Sequence, residues 1–334
     1  MKRKTIIPAL LSFALLTACA GGSESSSADS SKPQTERVTV SKPAQSSQQD
    51  SSSIQEETGE LAEKGLTKEL LAKAMPDVNT VINGTTVMQD SDINGYPYTL
   101  TIDLKGWAGN TTPEQIATLS RLFWQSYPAM FERFGVSSGA SRDVTFIIDV
   151  NYDYEIAATQ RDVVYLQDKW LGENKDDYDC ITHELAHVIQ NIWDEEYLEY
   201  SGYIERFADY CRYIYALDDG YFNDSCWCLK DVFAEDSRET SVRFLVWLDY
   251  TYSTKDNDLM RRFYDICYGK EYQTADWESA WSEIFKNTEL EGKDIDEVWG
   301  IFAESDFAIY DSTSEAGGRS QLLINYDIRN KLKA

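Results

Sequence analysis

Two histidines occur in the 334 residues of this chain, and they stand four apart, in His183-Glu184-Leu185-Ala186-His187. Positions i and i+4 of a helix share one face, so both imidazoles can reach a single metal ion. H-E-x-x-H is a zinc-hydrolase pattern, in which the acid after the first histidine leans toward a water held at the metal. No other histidine is left to act as ligand, base or shuttle, so any histidine chemistry is confined to this segment. The segment must also be a buried helix. Ile181, Leu185, Val188, Ile189 and Ile192 surround the pair with apolar surface. A buried pair of imidazoles beside an acid needs partners.

Two histidines do not complete a catalytic zinc site, which takes three protein ligands and leaves the fourth position for water. Metzincin spacing would require glycine and a third histidine where Gln190 and Trp193 stand, so that subclass is excluded. The third ligand is then a carboxylate or a thiolate. Downstream the chain reads Ser201-Gly202-Tyr203-Ile204-Glu205-Arg206-Phe207-Ala208-Asp209-Tyr210. Glu205 follows His187 by 18 residues, and Asp209 lies four further on, on the same helical face. This resembles the gluzincin arrangement. The resemblance implies one Zn2+ ion held by His183, His187 and Glu205. It also implies that Asp209 accepts a hydrogen bond from the first ligand histidine and fixes its tautomer. Asp194, Glu195, Glu196 and Glu199 are competing acids, read as a solvated linker between two helices. Cys180 lies one turn before His183 on the same face. One helix rarely gives three ligands to a tetrahedral ion, so Cys180 is read as core or disulfide.

The chain opens on Met1-Lys2-Arg3-Lys4, then an apolar run from Ile6 to Ala18, too short for a stable membrane span. Leu16-Thr17-Ala18-Cys19 resembles a bacterial lipobox. The resemblance implies that residues 1–18 are a signal peptide, that Cys19 is the mature N-terminus and carries lipid, and that the domain is held outside the cytoplasm. The alternative is an ordinary signal peptide with an incidental cysteine. Residues 19–58, rich in Ser and Gln, cannot build a core and read as a disordered tether. The net charge is −26, and removing Lys2, Arg3 and Lys4 with the signal leaves −29 (−26 − 3). A surface that acidic disfavours nucleic acid. The five later cysteines, Cys180, Cys211, Cys226, Cys228 and Cys267, are odd in number, so at least one is unpaired within the chain.

Residues 59–94 are read as an N-terminal helix, over 60–75 and stopping before Pro76, with a connecting segment. Strands are expected over Tyr96–Leu104, Val144–Val150 and Val163–Leu166. Thr112 caps a helix with Pro113 at its first position, and that helix is expected to end at Gly135. The metal helix covers 176–191 and its partner 202–218. Further helices follow over about 238–253, 255–268, 275–286 and 294–303, and 306–334 is a C-terminal extension.

Joined together, Thr182–Gln190 and Gly202–Tyr210 resemble the basic secretory protein family of plants and bacteria, read as metallopeptidases. The strand pair Val144–Asp149 and Val163–Leu166, the run Ser241–Leu248 and Asp294–Trp299 fit the same pattern, so the likeness spans 95–305. It implies an α+β, gluzincin-like fold with a small mixed sheet over the metal helix and a helical lower lobe. It also implies hydrolysis of peptide bonds. The chain departs from the family in its acidity and in Arg206, where glycine tends to follow the glutamate. On this reading the protein is a lipid-anchored zinc peptidase acting on peptide or protein substrates at the cell surface. Glu184 is its base, and a tyrosine among Tyr197, Tyr200, Tyr203 and Tyr210 stabilises the oxyanion. The Val163–Leu166 strand is expected to be the sheet edge that pairs with substrate. The alternative is a surface-tethered binding protein that keeps zinc for structure alone.

Overall fold

Alternating burial builds a six-stranded mixed sheet, the centre of a computed structural model that describes residues 59–152, 156–174, 180–191, 201–215, 242–268 and 277–305. The strands are β1 (Asn79–Asn83), β2 (Thr86–Ile93), β3 (Tyr96–Asp103), β4 (Asp143–Asp149), β5 (Ala157–Gln160) and β6 (Val163–Gln167). Their spatial order is β1-β2-β3-β4-β6-β5. The first three run antiparallel, β3, β4 and β6 run parallel, and β5 returns antiparallel to β6. The architecture is therefore α+β with a mixed sheet. The signal, tether and lipidation residue expected over 1–58, and the extension over 306–334, lie outside the described residues. Among the described residues no helix is long and apolar enough to cross a membrane.

Two strands stand where a connecting segment was expected. β2 and β3 meet at Asn94-Gly95, both with positive φ (55° and 82°), the backbone that a tight two-residue hairpin demands. The inward face of β1 and β2 is partly polar, with Thr80 and Gln89 buried. Gln89 is satisfied there. Its Oε1 accepts from Ser120 Oγ (2.6 Å) and Trp124 Nε1 (3.0 Å), and its Nε2 donates to Thr80 Oγ1 (3.2 Å). The helix expected over 60–75 is two short ones, α1 (Glu60–Glu63) and α2 (Lys68–Ala74), separated where Gly65 takes φ 89°.

Against the sheet lies α3 (Pro113–Met130), opened by a capping box between Thr112 and Gln115. It does not stop at Gly135. It passes through a π turn (Phe131–Gly135) into α4 (Val136–Ser138) and ends at Gly139, with φ 68°. Gly135 is needed for close approach: a Cβ there would lie 2.7 Å from the Phe131 ring and 3.1 Å from Ile189. After β6 comes α5 (Asp168–Glu173), whose Asp168 accepts from the backbone N–H groups of Ala108, Asn110 and Thr111 and so fixes the turn before α3.

Next come α6 (Cys180–Gln190) and α7 (Ser201–Ile214), packed against each other. The lower lobe holds α8 (Val242–Tyr252), α9 (Leu259–Tyr268), α10 (Trp277–Phe285) and α11 (Ile295–Ala303). Its core is aromatic. The Phe244 ring lies 5.3–5.9 Å from Trp247, Trp281, Trp299 and Phe302, and such pairs add about 0.5–1.5 kcal/mol each beyond their buried area.

Candidate metal centre

Every residue of α6 is buried except His183 and His187, which form a partly exposed stripe one turn apart. The helix is held in place at its end. Tyr264 Oη donates to the Ile189 carbonyl (2.8 Å), and Asn191, at φ 48°, ties the helix terminus to Ser138 and Gly139. On α7, Glu205 faces the stripe. His183 Nε2 and His187 Nε2 are 3.1 Å apart, and Glu205 Oε2 lies 3.2 Å from the first and 3.7 Å from the second. Four donors about 2.0–2.2 Å from a tetrahedral ion stand roughly 3.3–3.6 Å from one another. The three separations fall around that spacing.

The other ring nitrogens are also engaged. His183 Nδ1 lies 2.9 Å from Asp209 Oδ1, and His187 Nδ1 lies 2.6 Å from Gln190 Oε1. An oxygen acceptor facing Nδ1 puts the proton on Nδ1 and leaves the lone pair on Nε2. Both lone pairs and a carboxylate oxygen thus converge on one point, an arrangement that calls for a cation. The proton affinities express the same demand. Without a metal a second proton can take its place at Nε2: burial works against charge on His183, yet hydrogen bonds to Asp209 and Glu205 outweigh it and push its pKa up to about 10. His187 is raised as well, with Glu205 overcoming burial. Glu205 is held well below the usual carboxylate range, because its bonds to His183 and His187 outweigh its partial burial. The donor set, two imidazoles and a carboxylate, fits zinc.

Glu184 is buried on the sheet side of α6, and the Thr159 hydroxyl lies 2.7 Å from its Oε2 and 3.0 Å from its carbonyl oxygen. Thr159 is on β5, which corrects the expectation for the sheet edge. The edge is β5; β6 (Val163–Leu166 with Gln167) runs between β4 and β5. The reversal at Arg161, with φ 64°, folds Ala157–Gln160 back outside it. Ile156 accepts from Gln167 N–H (3.1 Å), so in antiparallel register Ala158 and Gln160 face β6. Ala157 and Thr159 then point their backbone groups away from β6, at what is the sheet edge among the described residues.

Tyr210 does not face the centre. It is buried, its hydroxyl donates to Asp249 Oδ2 (2.5 Å) and accepts from Arg133 Nη1 (2.7 Å), and it has no proton left for an oxyanion. Tyr197, Tyr200 and the side chain of Tyr203 lie outside the described residues, as do Asp194, Glu195, Glu196, Glu199, Cys226 and Cys228 and the side chain of Cys267. Cys180 and Cys211 are buried, and Cys180 is not among the converging donors. The structure thus brings together His183, Glu184, His187, Glu205 and Asp209, and adds Thr159 and Gln190, for which the sequence carries no chemical signature. Comparison with protein families, with characterised proteins and with solved structures finds no match to this chain.

Proposed function

We propose that this protein is a zinc-dependent peptidase of gluzincin type, exported and lipid-anchored through Cys19, that cleaves peptide bonds at the cell surface. One observation carries the reading: the two Nε2 atoms and the Glu205 carboxylate converge on a single point, and the Glu184 carboxylate is near enough to raise the proton affinity of both imidazoles. A structural metal has no use for that neighbouring acid. The likeness to the basic secretory protein family rests on the residues quoted above and supports the same reading.

Zinc bound by His183, His187 and Glu205 would polarise a carbonyl and lower the pKa of a water to near neutral. Glu184, oriented by Thr159, takes a proton from a water at the site and hands it to the leaving nitrogen. The outward N–H and C=O groups of Ala157 and Thr159 pair with an extended substrate backbone and align its scissile bond over α6. Asp209 and Gln190 keep both imidazoles in the tautomer that presents Nε2.

The test is metal analysis of the purified protein together with cleavage of a mixed peptide library. We expect one zinc per chain and cleavage that stops with a chelator and returns with zinc. Zinc without cleavage would return the chain to a tethered binding protein, and absence of zinc would remove the metal centre.

A further inference from the structure

Gln190 is the last residue of α6 and is buried. Its Nε2 lies 2.8 Å from the carbonyl oxygen of Ile204, on α7. A carbonyl oxygen can only accept, so the amide nitrogen must face it. The amide oxygen is thereby turned toward His187, where Oε1 lies 2.6 Å from Nδ1. An oxygen in that place requires the imidazole to carry its proton on Nδ1. The lone pair of His187 is then on Nε2, 3.1 Å from His183 Nε2 and 3.7 Å from Glu205 Oε2. The orientation of a backbone carbonyl on one helix therefore fixes the tautomer of an imidazole on the other.

The same bond has a second consequence. Ile204 immediately precedes Glu205. By binding the Ile204 carbonyl, Gln190 sets how far along α6 the Glu205 backbone sits. A primary amide can accept from His187 and donate to Ile204 at once. A carboxylate at 190 could do the first but not the second, and would add charge to a site that already holds Glu184, Glu205 and Asp209. An apolar residue could do neither.

We infer that Gln190 is a positioning residue that couples two elements of the centre, fixing His187 for metal binding through Nδ1 and the register of Glu205 through the Ile204 carbonyl. The inference rests on the zinc reading above. It differs from the role of Asp209, which orients His183 from the same helix that carries Glu205.

The experiment measures zinc affinity by chelator competition and the exchange of the His187 Nδ1 proton by 15N-edited NMR. It uses the wild-type chain, Gln190→Met and Gln190→Glu. Gln190→Met keeps the length of the side chain and removes both bonds. We expect it to bind zinc about 10–100-fold more weakly, the range for partners that orient a ligand histidine, and to lose the slow exchange of the Nδ1 proton. Gln190→Glu keeps an acceptor at Nδ1, so the proton stays protected; this variant holds if Gln190→Met fails to fold. Wild-type zinc affinity in Gln190→Met, or an equally protected Nδ1 proton in that variant, overturns the inference. A wild-type chain that takes up no zinc overturns the peptidase reading instead. Proton exchange in the metal-free protein then still decides whether Gln190 holds His187.

Discussion

Two clusters of buried charge share helix α7, and they solve the same problem in opposite ways. Consecutive residues serve them: Asp209 belongs to the candidate metal centre and Tyr210 to a cluster around Arg133. Arg133, in the π turn, donates through Nε to Asp258, through Nη1 to Tyr210 and Asp249, and through Nη2 to Asp249 and Asp258, at 2.6–3.1 Å. A guanidinium has five N–H donors, and all five are used. Asp249 in turn accepts from Tyr210, and Asp258 accepts from the backbone N–H of Arg261. Here the chain supplies its own cation and saturates it. At His183, His187 and Glu205 the acceptors converge, and among the described residues no lysine or arginine pairs with them. A saturated cluster fastens α7, α8 and the start of α9 to the π turn. An unsaturated one is the arrangement from which the proposed zinc site is read.

The largest effect should come from breaking the saturated side. Arg133→Met leaves Asp249 and Asp258 without their cation, and losing one partner of a buried pair costs about 3–5 kcal/mol. Chemical unfolding of metal-free protein measures this, and added zinc should not restore what is lost. A cost under about 1 kcal/mol would mean that the cluster is not the fastening it resembles.

On the other side, Glu184→Gln removes a proton acceptor and no metal donor. Turnover should fall at least ~10²-fold with zinc content unchanged. Unaltered turnover in zinc-loaded protein would take the base away from Glu184.

Asp209→Asn should weaken zinc about 10–100-fold, since a neutral amide is a weaker acceptor for the His183 Nδ1 proton than a carboxylate. Unfolding should shift little, because the Arg133 cluster next door is intact. Equal zinc affinity, read by chelator competition, would detach Asp209 from the centre.

The same centre should also respond to pH. Burial lowers the pKa of His183, but its bonds to Asp209 and Glu205 raise it overall, to about 10, above the unfolded value near 6.5. A raised folded pKa contributes stability that is complete below ~6.5 and disappears as pH climbs toward 10. Melts of the chelated protein should fall across that window, and zinc should flatten the curve by taking the proton's place. A flat curve without metal would contradict the unsaturated reading of the centre.

Much of the centre is legible in the sequence because metal chemistry restricts residue types. Two histidines four apart, followed by a glutamate and an aspartate four apart, form a donor set that stands out in a chain with no further histidine. Thr159 and Gln190 escape the same logic, because a threonine in a four-residue strand and a glutamine at a helix end fit any surface. β1 and β2 are hidden for a different reason. Thr80 and Gln89 fill inward positions that alternation reserves for apolar side chains, although Asn94-Gly95 marks a hairpin. Arg133 gives no signal at all. Its carboxylate partners lie 116 and 125 residues further along the chain, and nothing local announces them.

That Asp209 and Tyr210 are neighbours has a mechanical consequence. Consecutive helical residues are separated by about 100° and about 1.5 Å, so the two clusters cannot be adjusted independently. A side-chain tip sits about 6 Å from the helix axis, so rolling α7 by roughly 10° would carry the tips of Glu205 and Asp209 about 1 Å along their arc. A displacement of that size can cost an enzyme about 10²-fold in rate. The ring of bonds around Arg133 acts as a datum, in the machinist's sense. It is the reference that indexes the rotation of the shaft, and with it the placement of Glu205 and Asp209.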